Sequence, residues 1–81
     1  RHLAAELGPM GIRVNCTAPS QTHSPMLDSA LSKKGQEKLA EIVPLRRLGT
    51  IEEQAEVIYF LSSRASSYIN GAIIDVDGGL L

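Results

Sequence analysis

The sequence predicts an α/β fold in which two parallel strands are joined by a long helical connection. Residues 12–18 alternate apolar and polar side chains with a period of two, which is the pattern of a strand. Residues 50–53, Thr-Ile-Glu-Glu, form the start signal of a helix. An apolar run at residues 72–76 predicts a second strand, covered on both faces. A connection that contains a helix normally joins parallel neighbours, so the pattern favours a parallel sheet.

The chain opens in what the pattern predicts to be the last turns of a helix. Leu3 and Leu7 lie four residues apart on one helical face. The Gly-Pro pair at residues 8–9 ends this helix, because proline cannot continue it. The predicted strand at residues 12–18 follows, and Pro19 ends its hydrogen-bond ladder.

The connection between the strands begins with a segment of mixed character, residues 26–42, which we call the flap. Short helices are predicted near residues 26–31 and 36–42, separated near Gly35, and Pro44 closes the segment. We interpret the flap as mobile.

The helix that starts at Thr50 has the strongest local signal in the chain. Thr50 and Glu53 have the spacing of a capping box, in which each side chain satisfies a backbone N–H at the other end. Apolar side chains then follow at helical spacing: Ile51, Ala55, Ile58 and Leu61. We expect this face to pack on the strand at residues 72–76, with Ile58 and Leu61 turned towards it.

Composition excludes several classes of partner. Lys and Arg total 8 against 9 acidic residues, so there is no basic surface for nucleic acid. The apolar stretches are far shorter than the roughly 20 residues that span a bilayer. Cys16 has no partner for an internal disulfide and is expected as a small buried side chain on its strand. We expect a cytoplasmic protein that binds neither nucleic acid nor membrane.

Three segments together resemble the C-terminal third of short-chain dehydrogenases/reductases. They are ELGPMGIRVNCTAPS (residues 6–20), PLRRLGTIEEQAEVIYFLSS (residues 44–63) and SSYINGAIIDVDGG (residues 66–79). The resemblance extends over essentially all 81 residues, and the order and spacing of the segments make it specific. It implies the C-terminal part of a Rossmann-type, doubly wound parallel sheet, with a nicotinamide cofactor across the carboxyl ends of the strands.

The resemblance also implies that the catalytic groups lie outside this sequence. In the family, the glycine-rich pyrophosphate turn, the catalytic Ser and the Tyr-x-x-x-Lys pair all precede the region that matches. Tyr59 and Tyr68 do not replace that Tyr, because neither is followed by Lys four residues later. Arg1 opens a predicted helix without a capping residue. We therefore interpret residues 1–81 as the C-terminal segment of a single NAD(P)-binding domain, with no catalytic residue and no activity of its own.

Candidate cofactor-binding residues lie in residues 19–26, which we call the strand-end loop. Ligands of open α/β sheets bind beyond the carboxyl ends of strands, where this loop begins. The resemblance implies that Pro19 packs near the nicotinamide ring, that the Thr22 backbone bonds the carboxamide, and that the Ser24 hydroxyl meets carboxamide or phosphate. Thr22 replaces an aliphatic residue of the family. Ser20 replaces the usual Gly, where a positive φ would strain the backbone and shift the loop.

His23 and Met26 are the candidate substrate residues. His23 sits in the middle of the strand-end loop, where it either reaches substrate or remains in solvent. Met26, with Leu27 and Leu31, either lines a substrate pocket or seals the flap, since methionine and leucine suit both purposes.

Two further features leave alternatives or exclude a site. The basic pair at residues 46–47 either binds an anion, remains solvated or bonds backbone carbonyls, and the resemblance implies that this segment helps to hold the flap down. No metal site is predicted, because His2 has no second ligand four residues on. Asp75 and Asp77 lack the remaining ligands of a calcium loop.

Two functions of different classes follow. The first is a segment of an oxidoreductase that transfers hydride between NAD or NADP and a small carbonyl or alcohol substrate, and that forms a homo-oligomer, dimer or tetramer, when full length. The second is a non-catalytic association module that uses residues 72–76 as an apolar edge. The choice between NAD and NADP depends on residues of the family's other half.

Overall fold

The computed structural model describes residues 1–80, which form an elongated segment of 49 × 22 × 21 Å. The helices are α1 (His2–Leu7), α2 (Pro25–Ala30), α3 (Lys33–Ile42) and α4 (Ile51–Ser62). The strands are β1 (Cys16–Pro19), β2 (Thr22–His23), β3 (Gly49–Thr50) and β4 (Ile73–Val76). Short 3-10 helices follow α1 and α4 at Gly8–Met10 and Arg64–Ser66.

Two pairs of parallel strands form the framework. β1 pairs with β4, from Cys16 opposite Ile73 to Pro19 opposite Val76. β2 pairs with β3 beside it, with Thr22 opposite Gly49. The predicted α/β class and the parallel arrangement are confirmed. Parallel pairing places the carboxyl ends of β1 and β4 at the same edge, where the strand-end loop departs.

Strand β1 begins at Cys16 rather than at residue 12. Before Cys16, asparagine side chains accept hydrogen bonds that backbone carbonyls would accept in a regular strand pair. Val14 N donates to Asn70 Oδ1 at 3.0 Å, and Ala72 N donates to Asn15 Oδ1 at 2.9 Å. The chains therefore already run side by side before regular pairing begins.

Arg13 ties the end of α4 to the start of β1. Its Nη1 donates to Ile69 O at 3.0 Å, and its Nη2 donates to Leu61 O at 2.9 Å and to Ser63 O at 3.5 Å. The last carbonyls of a helix have no partner within it and carry partial negative charge. The guanidinium of Arg13 supplies both hydrogen-bond donors and a positive charge at this end of α4.

The predicted start of α4 is confirmed, and its predicted packing is only partly right, since Leu61 is half-buried as expected but Ile58 is not. Glu53 N donates to Thr50 Oγ1 at 3.1 Å and Thr50 N donates to Glu53 Oε1 at 2.9 Å, which completes the capping box. In the larger strand pair, α4 contacts chiefly β1 rather than β4. Ile58 is 54% exposed. The half-buried residues of α4 are Glu53, Gln54, Val57 and Leu61, of which the last three lie at helical spacing on one face. Apolar residues surround this helix, so the pattern alone did not identify the inner face.

The flap contains two capped helices, and α3 differs from its prediction. Ser32 Oγ accepts a hydrogen bond from Gly35 N at 3.1 Å, so α3 starts at Lys33 and runs through Gly35. A break near Gly35 was expected, but the serine cap before it starts the helix earlier. Val43 follows α3 and is buried.

The second face of the β1–β4 pair lies open within residues 1–80. Cys16 and Ile73 are register partners on that face, and both are exposed. The predictions of a buried Cys16 and of a strand covered on both faces are therefore wrong for the described residues, because α4 lies over the opposite face, that of Thr17 and Ile74. No helix in this part of the chain is long and apolar enough to cross a membrane.

Candidate cofactor-binding site

The strand-end loop starts at the shared carboxyl edge of β1 and β4. Ser20 N donates to Val76 O at 3.3 Å, which joins the second residue of the loop to the last residue of β4. Among the described non-glycine residues, a positive φ occurs at Arg46, and the backbone of Ser20 is not in that region. The expected strain at Ser20 is therefore absent, and serine is accommodated in the path that the loop takes.

Thr22 presents its backbone away from its neighbouring strand. Gly49 N donates to Gln21 O at 3.3 Å, which directs the Gln21 carbonyl towards β3. Backbone groups of consecutive strand residues point to opposite sides, so the N–H and C=O of Thr22 both face away from β3. A donor and an acceptor side by side are the pair that a carboxamide requires.

Ser24 is the N-cap of α2, a role that the sequence reasoning missed. Its Oγ accepts a hydrogen bond from Leu27 N at 3.2 Å, and its backbone is extended, as in other N-caps. The signal was present, because Pro25 directly follows and proline favours the first position of a helix. A cap uses a lone pair of the hydroxyl oxygen, so the hydroxyl proton of Ser24 remains able to donate.

The four candidate cofactor residues lie on one continuous stretch, but they do not form a single cluster. Ser20 and Thr22 are in contact, since Thr22 Oγ1 donates to Ser20 O at 3.1 Å. Pro19 is the exposed last residue of β1, opposite Val76. Ser24 lies further along, at the first turn of α2.

A cavity of about 580 Å³ opens beside the start of the loop, at the carboxyl ends of the strands. Ser20 and Gln54 line it, together with the turn after β4. That turn requires glycine: Gly78 has a φ of 65°, and a Cβ there would lie 2.6 Å from Val43 Cγ1. Leu45 N also donates to Gly78 O at 3.2 Å, so the segment after α3 is held against the strand ends.

His23 faces the flap. Its Nε2 lies 3.1 Å from Asp28 Oδ1, which also accepts a hydrogen bond from Gln36 Nε2 at 3.0 Å. His23 and Asp28 line a second cavity, of about 540 Å³, against α3. Met26 is 81% exposed and does not line that cavity, whereas the nearby Leu27 is half-buried. The two candidate substrate residues are thus not brought together.

The basic pair is engaged with groups of the chain itself. Arg46 donates to the carbonyl of Glu41. Arg47 Nη1 and Nη2 donate to Glu53 Oε1 at 2.8 Å and Oε2 at 2.7 Å. The bonds from Arg47, followed by that from the Thr50 N–H, lower the pKa of Glu53 from 4.5 to about 2. The carbonyl-bonding interpretation therefore describes Arg46, and an ion pair describes Arg47.

Comparison with known proteins identifies the family of this chain. Residues 1–81 match the family model described as enoyl-(acyl carrier protein) reductase. The chain is 51% identical over 80 residues to cyclohexanol dehydrogenase of Rhodococcus sp. (strain TK6). The aligned region covers 99% of this chain and 30% of that protein.

Two solved structures have the same fold. One is 3-oxoacyl-[acyl-carrier protein] reductase from Brucella melitensis ATCC 23457, with a TM-score of 0.90 and 42% identity over 98% of this chain and 29% of that chain. The other is YwfH, an NADPH-dependent reductase involved in bacilysin biosynthesis, with a TM-score of 0.86 and 32% identity. The match covers 99% of this chain and 34% of the YwfH chain. The chain thus spans about a third of the length of these relatives. It belongs to the short-chain dehydrogenase/reductase family and has the Rossmann-type fold of its members.

Proposed function

We propose that this chain is the C-terminal segment of a cytoplasmic, NAD(P)-dependent oxidoreductase that transfers hydride between the nicotinamide and a small carbonyl or alcohol substrate. The observation that carries the proposal is the orientation of Thr22, whose backbone N–H and C=O point away from β3, on a loop that leaves the carboxyl edge of β1 and β4. Family membership and the names of the relatives, a dehydrogenase and two reductases, support it.

Each candidate residue of the strand-end loop has its own role in cofactor binding. The Thr22 N–H donates to the carboxamide oxygen and its C=O accepts from the carboxamide nitrogen, which fixes the orientation of the ring. Pro19, exposed at the end of β1, packs beside the ring. Ser20 fixes the start of the loop through its bond to Val76. The Ser24 hydroxyl donates to carboxamide or phosphate while its oxygen caps α2. The cofactor, when bound, supplies or accepts the hydride.

The remaining assignments belong to the same proposal. The catalytic Ser, Tyr and Lys of the family are supplied by parts of the protein outside this sequence, and residues 1–81 by themselves are inactive. The cofactor is NAD or NADP, and the full-length protein is a dimer or tetramer. His23, held by Asp28, and the exposed Met26 contribute to the substrate side of the strand-end loop.

A non-catalytic association module is the second candidate, and one observation favours it. Apolar side chains on α4 and on the open face of β4 are exposed within residues 1–80, among them Ile51, Ile58 and Ile73. Such a surface suits association with another protein.

Titration of the full-length protein with NADH and NADPH distinguishes the two candidates. The oxidoreductase proposal predicts saturable binding of at least one reduced cofactor, and oxidation of secondary alcohols, beginning with cyclohexanol, when the oxidised form is supplied. A protein that forms stable oligomers yet binds neither cofactor would refute the oxidoreductase and favour the association module.

A further inference from the structure

The side chain of Gln54 closes a ring of hydrogen bonds around the start of the strand-end loop. Its Nε2 donates to Val76 O at 3.1 Å and to Thr22 Oγ1 at 3.4 Å. Thr22 Oγ1 donates in turn to Ser20 O at 3.1 Å. Ser20 N donates to Val76 O at 3.3 Å, which completes the ring. Three parts of the fold, α4, β4 and the loop, are joined in this way.

The chemistry of the ring permits one assignment of donors and acceptors. Val76 O only accepts, so the amide nitrogen of Gln54, rather than its oxygen, must face that carbonyl. The hydroxyl proton of Thr22 is directed to Ser20 O, which leaves an oxygen lone pair for the second N–H of Gln54. Each donor therefore meets an acceptor, and the long 3.4 Å contact is the weakest of the four.

We infer that Gln54 is a positioning residue that holds the strand-end loop, through Thr22, in the orientation that binds the cofactor. The inference rests on the proposed function. Thr22 stands where the family has an aliphatic residue, and an aliphatic side chain offers no acceptor to Gln54. The hydroxyl at position 22 and the amide at position 54 thus form a matched pair. Gln54 also lines the cavity of about 580 Å³ at the strand ends, which places the pair beside the region where the cofactor is expected.

Four variants of the full-length protein test this inference. Gln54→Met removes both donors and keeps the length of the side chain, and Thr22→Val removes the hydroxyl and keeps the shape. We expect each to raise the Kd for the reduced cofactor about two- to tenfold, because each removes two bonds of the ring. The double variant should lose less affinity than the two single losses combined, because both single variants break the bond between Gln54 and Thr22. Thr22→Ser keeps the hydroxyl and should bind like wild type.

Glu56→Met is the matched control for the helix, because Glu56 is an exposed residue of α4. We expect its Kd to equal that of wild type. The Tm and kcat of each variant are measured as well, and we expect kcat at saturating cofactor to change less than Kd.

The outcomes separate the inference from the proposed function. If wild type binds neither NADH nor NADPH, the proposed function fails and the inference fails with it. If wild type binds but Gln54→Met has an unchanged Kd and only a lower Tm, Gln54 is merely structural and the inference is overturned. Additive losses in the double variant would also overturn it. Should Gln54→Met not fold, the contrast between Thr22→Val and Thr22→Ser decides, since equal Kd values there refute the inference.

Discussion

The two ends of the β1–β4 pair are both fastened by side chains that bond backbone groups, yet they are built differently. At the amino end, a charged Arg13 and the amides of Asn15 and Asn70 make bonds of 2.9 to 3.0 Å, apart from two longer contacts, one of Arg13 at 3.5 Å and one of Asn70 at 3.3 Å. At the carboxyl end, the neutral Gln54 and Thr22 make bonds of 3.1 to 3.4 Å beside a cavity. Shorter, charge-assisted bonds are the stronger ones. We therefore expect the amino end to contribute more to the stability of the fold and, under the proposed function, the carboxyl end to orient a loop for binding.

The largest expected effect on stability is at the amino end. Arg13→Met should lower the free energy of unfolding of the full-length protein by about 2 to 4 kcal/mol, because a partly buried charged donor is lost and the carbonyl of Leu61 loses its side-chain partner, whereas that of Ile69 keeps Asn15. Urea unfolding measures it. Arg13→Lys keeps the positive charge but loses the planar guanidinium with its several N–H donors. Its free energy of unfolding should lie between those of wild type and Arg13→Met. An unchanged unfolding midpoint would remove the distinction between the two ends.

Ser24→Ala should affect both stability and binding. Loss of the cap of α2 should cost about 0.5 to 2 kcal/mol. Loss of the hydroxyl donor should weaken cofactor binding from a few-fold to roughly a hundredfold, with the larger figure for a bond to phosphate. Thermal unfolding and cofactor titration measure the two effects separately. Ser24→Thr retains both functions, and if Ser24→Ala bound as tightly as Ser24→Thr, Ser24 would be a cap alone.

The next prediction concerns Ile58, an exposed residue of α4. With its side chain 54% exposed, Ile58→Ala should cost about 1 to 2 kcal/mol, roughly half the usual figure for a buried isoleucine. Val57→Ala, at a half-buried position of the same helix, is the comparison. A loss above about 4 kcal/mol in the full-length protein would mean that Ile58 is buried there.

The smallest expected effect is the pH dependence of the cap of α4. Because the folded pKa of Glu53, about 2, lies below its ordinary value of 4.5, the cap and ion pair contribute fully above that ordinary value, and the contribution is lost as the pH falls towards 2. Glu53→Gln removes this titration. The difference in unfolding midpoint between wild type and Glu53→Gln should therefore shrink from pH about 6 to pH about 2. A constant difference would contradict the assignment.

Local signals in the sequence were sufficient for part of this structure. The capping box of Thr50 and Glu53 spans four consecutive residues, so its chemistry is visible in the pattern. The same was true of Ser24 before Pro25, although that cap was not recognised. The inner face of α4 was not predictable, because the five consecutive residues from Val57 to Leu61 are all apolar or aromatic and fall on every side of the helix.

The candidate site was predicted only through the family resemblance. Pro19, Ser20, Thr22 and Ser24 were named from matching positions, and their roles in binding stay predictions. The bond between Gln54 and Thr22 joins residues 32 positions apart. No local pattern relates such positions, and their pairing follows only from the way α4 is laid beside the loop.

The closed ring at Gln54 has a consequence for how the strand-end loop opens. Val76 O is shared by two donors, and Thr22 Oγ1 both donates and accepts, so breaking one bond leaves a neighbouring group poorly satisfied. The bonds should therefore break together, and the loop should open as a cooperative unit rather than fray residue by residue. In hydrogen exchange, the Ser20 amide would then report this single event, and its exchange should quicken when Gln54 is replaced.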